Sequence, residues 1–289
     1  MFNLLNRKNP ALSQQELEQQ MQMQQQMQMQ QQMEMQTKLD QMLFQERLNA
    51  GTSKTNNEEF DKNGYLFVKD LYDPNELITD VPKERGILHY YGSLDKFSHN
   101  PEELQVNGSV ARYYYPAYKY AHSQIRLKIE KIIGKKLFNT YYYDRFYFPG
   151  QNLFPHVDRN ACEISVTLHI RTNLKTPWPI WIKTPDTYND ETKSEILERG
   201  KEKSLILEAG DGMIYKGCER PHWRESMPSD STIIETSNSK KNFIKNIFSG
   251  NKNVPDFNSN QEEIFYHQVF FHYVIADGVR SHCAGDMSN

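Results

Sequence analysis

From residue 163 to residue 171 the chain alternates apolar and polar without a break. Ile164, Val166, Leu168 and Ile170 fall on one side, and Ser165, Thr167, His169 and Arg171 on the other. A repeat of two is that of a β-strand, whose successive side chains point to opposite faces. A strand with one apolar face has to bury it, so further strands are required, and the sequence offers them. Tyr141, Tyr143, Arg145 and Tyr147 share one face of a strand that stops at Pro149 and Gly150; residues 65–68, 179–183, 204–208, 212–215 and 263–276 are other strand candidates. Two helices are expected beside them. One follows Asp73, which can cap it, with Pro74 in its first turn and Glu76 at capping-box spacing. The other covers 118–133, with Ala121, Ile125, Ile129, Ile132 and Ile133 on one face and Gly134 at its end. The charged stretch 187–204 reads as a solvated helix inserted between strands. The fold class expected is mostly β with flanking helices, a jelly roll or barrel.

The N-terminal part has a different character. Residues 14–45 hold 15 Gln and 7 Met, with Met21, Met27, Met33 and Leu39 spaced six apart. Six steps of ~100° turn the side chain by ~240° each time, so the repeat forms no single stripe on a helix. A solvated helix, weakly self-associating as in a coiled coil, or a disordered arm is expected over 1–57, with 49–57 as its linker. The folded domain is then 58–289, and the arm is expected to be dispensable for it.

Charge and cysteine content exclude several classes. The 289 residues carry 34 Lys and Arg against 37 Asp and Glu, a formal charge of -3, so the chain lacks the basic footprint that nucleic acid requires. Three cysteines, Cys162, Cys218 and Cys283, make no disulfide framework and no C-x-x-C pair. Neither a spanning helix nor a secretory leader is visible, and a soluble, cytoplasmic protein without a membrane partner is expected.

The chemistry points to one place. His156 and Asp158, in H-V-D, are two apart after the turn F-P-G-Q-N-L-F-P, and on a strand i and i+2 share a face. Sixty-four residues beyond Asp158, past the glycine turn G-D-G and a short strand, stands His222. Two His and one carboxylate on a β scaffold make the facial triad of non-haem Fe(II), which leaves coordination positions open.

The order of motifs, F-x-x-N-G-Y, Y-F-P-G-Q-x-L-x-x-H-V-D-R, S-V-T-L-H-I, P-W-P-I-W-I, L-x-A-G-D-G-M-I-Y, H-W-R-E and Q-V-F-F-H-Y, resembles the 2-oxoglutarate/Fe(II)-dependent dioxygenases over residues 60–277. It is most similar to their prolyl-hydroxylase and phytanoyl-hydroxylase side. The resemblance implies a double-stranded β-helix core, His156, Asp158 and His222 as iron ligands, and a hydroxylase that uses Fe(II), 2-oxoglutarate and O2, with ascorbate helpful. It further implies a basic residue that meets the far carboxylate of 2-oxoglutarate. No Arg or Lys stands about ten residues after His222, where that family usually has one. Arg224 and Arg171 are the substitutes, with Lys240 and Lys241 behind them, and Tyr147 resembles the tyrosine such enzymes direct at the cosubstrate.

The remaining features have plainer readings. His169, His267 and His272 read as packed residues, Cys162 and Cys218 as small buried hydrophobes, and Trp178, Trp181 and Trp223 as core or pocket wall. The run Tyr113 to Tyr115 reads as packing, with stacking on a planar substrate as the other possibility. A peptide or a small molecule fits the expected pocket as substrate. The same residues admit a different class of function, a non-catalytic cupin-like module that binds metal or carbohydrate, or an interaction module.

Overall fold

The computed structural model describes residues 51, 53–189, 196–229 and 263–285, together with 21–24, 27, 30, 31, 34 and 38. Most of the loop 228–260, including Lys240 and Lys241, lies outside the described residues, as does much of the Gln/Met repeat. The chain divides into two compact units, Met1–Gly51 and Thr52–Asn289. In the first, every described residue from 21 to 38 is helical and exposed, Met21, Met23 and Met27 among them.

The second unit contains, in chain order, strands β1 (Tyr65–Val68), β2 (Gly86–Tyr91), β3 (Lys96–Asn100), β4 (Val110–Tyr113), β5 (Leu137–Tyr147), β6 (Leu153–His156), β7 (Ile164–Thr172), β8 (Ile180–Lys183), β9 (Thr187–Tyr188), β10 (Ile196–Glu198), β11 (Glu202–Leu205), β12 (Gly212–Tyr215), β13 (His222–Arg224) and β14 (Tyr266–Ile275). Helix α1 (Glu58–Asn63) precedes them, and α2 (Lys119–Ile133) joins β4 to β5. The large sheet runs β1-β12-β7-β14-β5-β4-β2-β3 and the smaller one β11-β8-β13-β6.

The alternating strand explains how the layers stack. β7 lies inside the large sheet, and its apolar residues Ile164, Val166, Leu168 and Ile170 join Ile125, Ile129 and Ile133 of α2 in one buried cluster. Each such side chain contributes roughly 1.5–3 kcal/mol on burial, which holds a helix that would be marginal alone. The polar face of the same sheet looks at the smaller sheet. Across that gap the Tyr215 ring lies 4.6 Å from His222, Arg224 Nη2 donates to Gln268 Oε1 at 2.7 Å, and Tyr147 meets Trp178 edge-to-face at 5.1 Å. Two sheets face to face, with the chain passing alternately between them through β5, β6, β7, β8 and again through β12, β13, β14, form the double-stranded β-helix, or jelly roll. No helix among the described residues is long and apolar enough to cross a membrane.

Three local expectations change. After Asp73 there is one 3-10 turn, Pro74–Leu77; the Asp73 carboxylate does accept Asn75 N–H at 2.9 Å, but Glu76 takes the Tyr72 hydroxyl at 2.6 Å and closes no capping box. The described part of the charged stretch 187–204 forms the ribbon β9–β10 and the edge strand β11, not a helix. Lys and Glu there serve as exposed edge residues, a pattern that charge alone does not separate from a solvated helix. Residues 53–57, expected in the linker, are built into the domain. Ser53 is buried, its hydroxyl donates to Glu163 Oε1 at 2.6 Å, and its carbonyl receives Lys216 Nζ. Asn57 caps α1 through Phe60 N–H and donates to Ile132 O at 3.0 Å. Small polar residues suit a linker and a buried hydrogen-bond seam equally well.

Candidate metal centre

β6 and β13 are neighbours in the smaller sheet, with His156 directly opposite His222. Their rings sit 4.3 Å apart between centroids. The chain leaves β6 after His156, and Asp158 turns back to face both, held by its own N–H donating to Gly217 O at 2.9 Å. Gly217 has to be glycine: a Cβ there would lie 2.4 Å from Asp158 Oδ2 and 2.5 Å from Ser165 Oγ. Ligand atoms of His156, Asp158 and His222 fall within 4.8 Å of one another. The side chains grade from 27% exposed at His156 through 14% at Asp158 to 3% at His222, so the group opens to solvent on the His156 side.

Hydrogen bonds behind the rings decide what the front presents. His156 Nδ1 lies 2.9 Å from Phe154 O, and His222 Nδ1 lies 3.0 Å from Arg220 O. A carbonyl only accepts, so each Nδ1 carries a hydrogen, and in the neutral ring it is Nε2 that keeps the lone pair. Those two Nε2 atoms stand 3.7 and 3.6 Å from Asp158 Oδ1, beyond hydrogen-bond range. Ser165 Oγ donates to the other oxygen, Oδ2, at 2.9 Å, with His272 Nδ1 3.0 Å behind it. Burial opposes ionisation of Asp158, but the imidazoles of His222, His272 and His156 and the Ser165 hydroxyl together keep its carboxyl below the usual range. Burial, aided by His222, brings His156 down to about 4, so it is neutral at pH 7. Three electron-pair donors face one point, with the outer hydrogen bonds that orient metal ligands already in place.

Asp158 also comes within 4.8 Å of a second set, Cys162 and His272. That set is poorly suited to a metal. Burial pushes the Cys162 thiol far up, and the thiolate is the form that binds metal; its Sγ is 3.2 Å from the Tyr141 hydroxyl.

Arg224, two residues past His222 on β13, is buried on the inner side. Nη1 donates to Trp178 O at 2.7 Å, Nη2 to Gln268 Oε1 at 2.7 Å and to the Tyr266 hydroxyl at 3.3 Å. The guanidinium lies between the rings of Trp178 and Tyr266, at 4.5 and 4.6 Å. Among the described residues it makes no ion pair with a carboxylate, and its Nε has no hydrogen-bond partner. Tyr147 adjoins it: fully buried, its hydroxyl accepts from Gln268 Nε2 at 3.4 Å.

No protein-family model matches the chain, and none of the curated proteins matches it significantly in sequence. Solved structures do match. A prolyl-4-hydroxylase from Pseudomonas putida is 13% identical over 74% of this chain and 95% of its own, with a TM-score of 0.43. The non-haem alpha-ketoglutarate-dependent carbocyclase SnoK of nogalamycin biosynthesis is 13% identical over 83% and 97%, with a TM-score of 0.44. HygX from Streptomyces hygroscopicus, with nickel and 2-oxoglutarate bound, is 8% identical over 76% and 85%, with a TM-score of 0.42. At such identities and TM-scores below 0.5, the chemistry has to be read from the side chains themselves.

The other expected residues are placed as follows. Register slips between His267 and Gln268 of β14, so Arg171 of β7 pairs with His267. Its Nη2 donates to Thr79 O at 2.7 Å and its guanidinium covers Phe265 at 5.0 Å, while Arg224 contacts Trp178, Tyr266 and Gln268. His169 stacks on Tyr266 at 4.3 Å. Two residues at the centre carried no signal in the sequence. Gln105 brings Nε2 to 3.4 Å from His156 Nε2, and Arg145, read only as one face of a strand, donates to Gln105 Oε1 at 2.9 Å. Ser165, read likewise, orients Asp158.

Proposed function

We propose that the protein is an Fe(II)- and 2-oxoglutarate-dependent oxygenase that hydroxylates an unactivated C–H bond of a peptide or small molecule. The observation that carries this reading is the convergence of His156 Nε2, His222 Nε2 and Asp158 Oδ1 with both Nδ1 hydrogens committed to backbone carbonyls. Two imidazoles presenting Nε2 and one carboxylate suit Fe(II), and three protein ligands leave room for others. Fe(II) and 2-oxoglutarate bound there supply the activation of O2. The chain's own part is binding and orientation. Arg224 is a buried cation whose protein partners are neutral, on the strand and face of His222, which suits the far carboxylate of 2-oxoglutarate. The flanking Trp178 and Tyr266 rings keep water from that ion pair, and the Tyr147 hydroxyl is placed to add a hydrogen bond.

The test is turnover of the cosubstrate. Purified protein with Fe(II), ascorbate and 2-oxoglutarate is expected to form succinate, and His222→Ala to form none. Arg224→Met is expected to raise the 2-oxoglutarate KM about 30-fold, on the order of 2 kcal/mol for lost hydrogen bonds to a charged group, with Fe(II) affinity little changed. Metal binding without succinate would leave a metal-binding module in place of an oxygenase.

A further inference from the structure

The segment before β4 brings Gln105 to the metal centre, and elementary chemistry fixes the direction of each hydrogen bond around it. Arg145 has donors only, and its Nη1 lies 2.9 Å from Gln105 Oε1. The amide oxygen therefore faces Arg145 and the amide NH2 faces His156, 3.4 Å from Nε2. His156 agrees from its side, because its Nδ1 hydrogen goes to Phe154 O and Nε2 is left as the acceptor. One directed chain results, from Arg145 through Gln105 to the lone pair meant for the metal.

Gln105 is clamped although it is exposed. Its backbone N–H donates to Glu103 Oε1 at 2.8 Å, and Val106 N–H to the same oxygen at 3.3 Å. The other oxygen of Glu103 lies 3.3 Å from Arg145 Nη2. Arg145 is 1% exposed. The arginine whose charge polarises the amide is thus itself held by burial and by its ion pair with Glu103.

A metal on His156 takes the lone pair that the amide now faces. With its oxygen still held by Arg145, the amide is left presenting N–H beside the metal, on the side where the triad opens. We propose that Gln105 donates a hydrogen bond to an anionic oxygen- or nitrogen-donor ligand on the metal, positioned for this by Arg145 and Glu103. This rests on the metal-binding reading of His156, Asp158 and His222. The role differs from that of Arg224, which lies on another strand and meets other partners.

Co(II)-loaded protein and azide test both layers separately. Uptake of one Co(II), with visible bands that vanish in His222→Ala, tests the triad alone; if wild type takes up none, that reading falls and this one with it. On Co(II)-loaded protein, Gln105→Leu removes the donor at similar volume and is expected to weaken azide binding about 10-fold, the scale of one charge-assisted hydrogen bond, with the Co(II) Kd within about two-fold. Gln105→Glu keeps a partner for Arg145 but offers no N–H, and is expected to lose at least as much azide affinity. Arg145→Met is expected to weaken azide about three-fold in the wild-type background and not at all in Gln105→Leu, the coupling of a positioning residue. Unchanged azide affinity in Gln105→Leu that binds Co(II) normally overturns the proposal, as does loss of Co(II) itself in both Gln105 variants.

Discussion

Two groups of histidine and aspartate, on opposite faces of the large sheet, are built from the same residue types and do different things. On the inner face, His156 and His222 stand 3.7 and 3.6 Å from Asp158 and hydrogen-bond to it in neither case. On the outer face, His267 Nε2 is 2.8 Å from Asp144 Oδ2, a carboxylate that also takes Arg112 Nε at 3.0 Å and the Tyr118 hydroxyl at 2.8 Å. The outer acid is saturated with donors and sealed; the inner acid faces two ring Nε2 atoms across a gap. Three ligand atoms held toward one point by backbone hydrogen bonds suit a cation, whereas a closed ion-pair network needs nothing more. Separation and tautomer, rather than residue type, distinguish a site from a scaffold.

The largest expected effect breaks the outer group. Asp144→Ala leaves Arg112 buried without its partner and should cost about 3–5 kcal/mol of stability, read as a fall in the urea midpoint. Asp158→Ala should instead leave the apo protein's midpoint nearly unchanged and remove metal binding. Equal destabilisation by the two would erase the distinction.

Acid probes both faces together. His122, on α2 behind the sheet, and His169, beside Arg224, are each brought down to about 4, chiefly by burial. Unfolded histidine titrates near ~6.5, so between these values the unfolded chain binds protons that the folded one does not. Stability is therefore complete above pH ~6.5 and erodes as the pH falls toward 4. For the pair, about 2 kcal/mol should go between pH 7 and 5.5 in urea titrations, and His122→Gln should flatten the slope. Asp144, burial opposing but Arg112 and His267 prevailing, is lowered to about 2; its share is lost only as the pH falls below ~4. A midpoint independent of pH from 7 to 4.5 would contradict neutral buried imidazoles.

The smallest effect sharpens the inner group. Ser165→Ala removes the hydroxyl that occupies Asp158 Oδ2 and should weaken Co(II) binding about 10-fold, the usual scale for a residue that orients a ligand. Calorimetric titration measures it, and a Kd within two-fold of wild type would show that Gly217 and the turn alone hold the carboxylate.

Much of the inner group was legible in the chain before any coordinates. Arg224 was visible as i+2 from His222, because a strand's repeat of two converts spacing into a shared face; His156 and Asp158 were expected to share a face in the same way, but β6 ends at His156 and a turn, not the strand, brings Asp158 back beside it. Arg171 was offered by its place at the end of the alternating strand, 15 residues after His156, and there a register slip intervened that no alternation pattern records. Strands β6 and β13, of four and three residues, are too short to show a period, so the opposition of His156 and His222 was not visible. Gln105 could not be found at all, since its partner lies 51 residues away and its own neighbours form a loop.

By itself, then, the sequence determined strands β1, β5, β7, β8, β12 and β14, the helix expected over 118–133, the apolar face of β7 and the three residue types that could hold a metal, from repeats of two and 3.6 and from turn chemistry. Tertiary structure decided which imidazole nitrogen carries the hydrogen, which acid is saturated and which is poised, and which arginine lies beside which neutral partners. The last two depend on differences of a few tenths of an ångström in the distances between residues far apart in the chain. Such distances are set by sheet register and bulges, to which local propensity is blind.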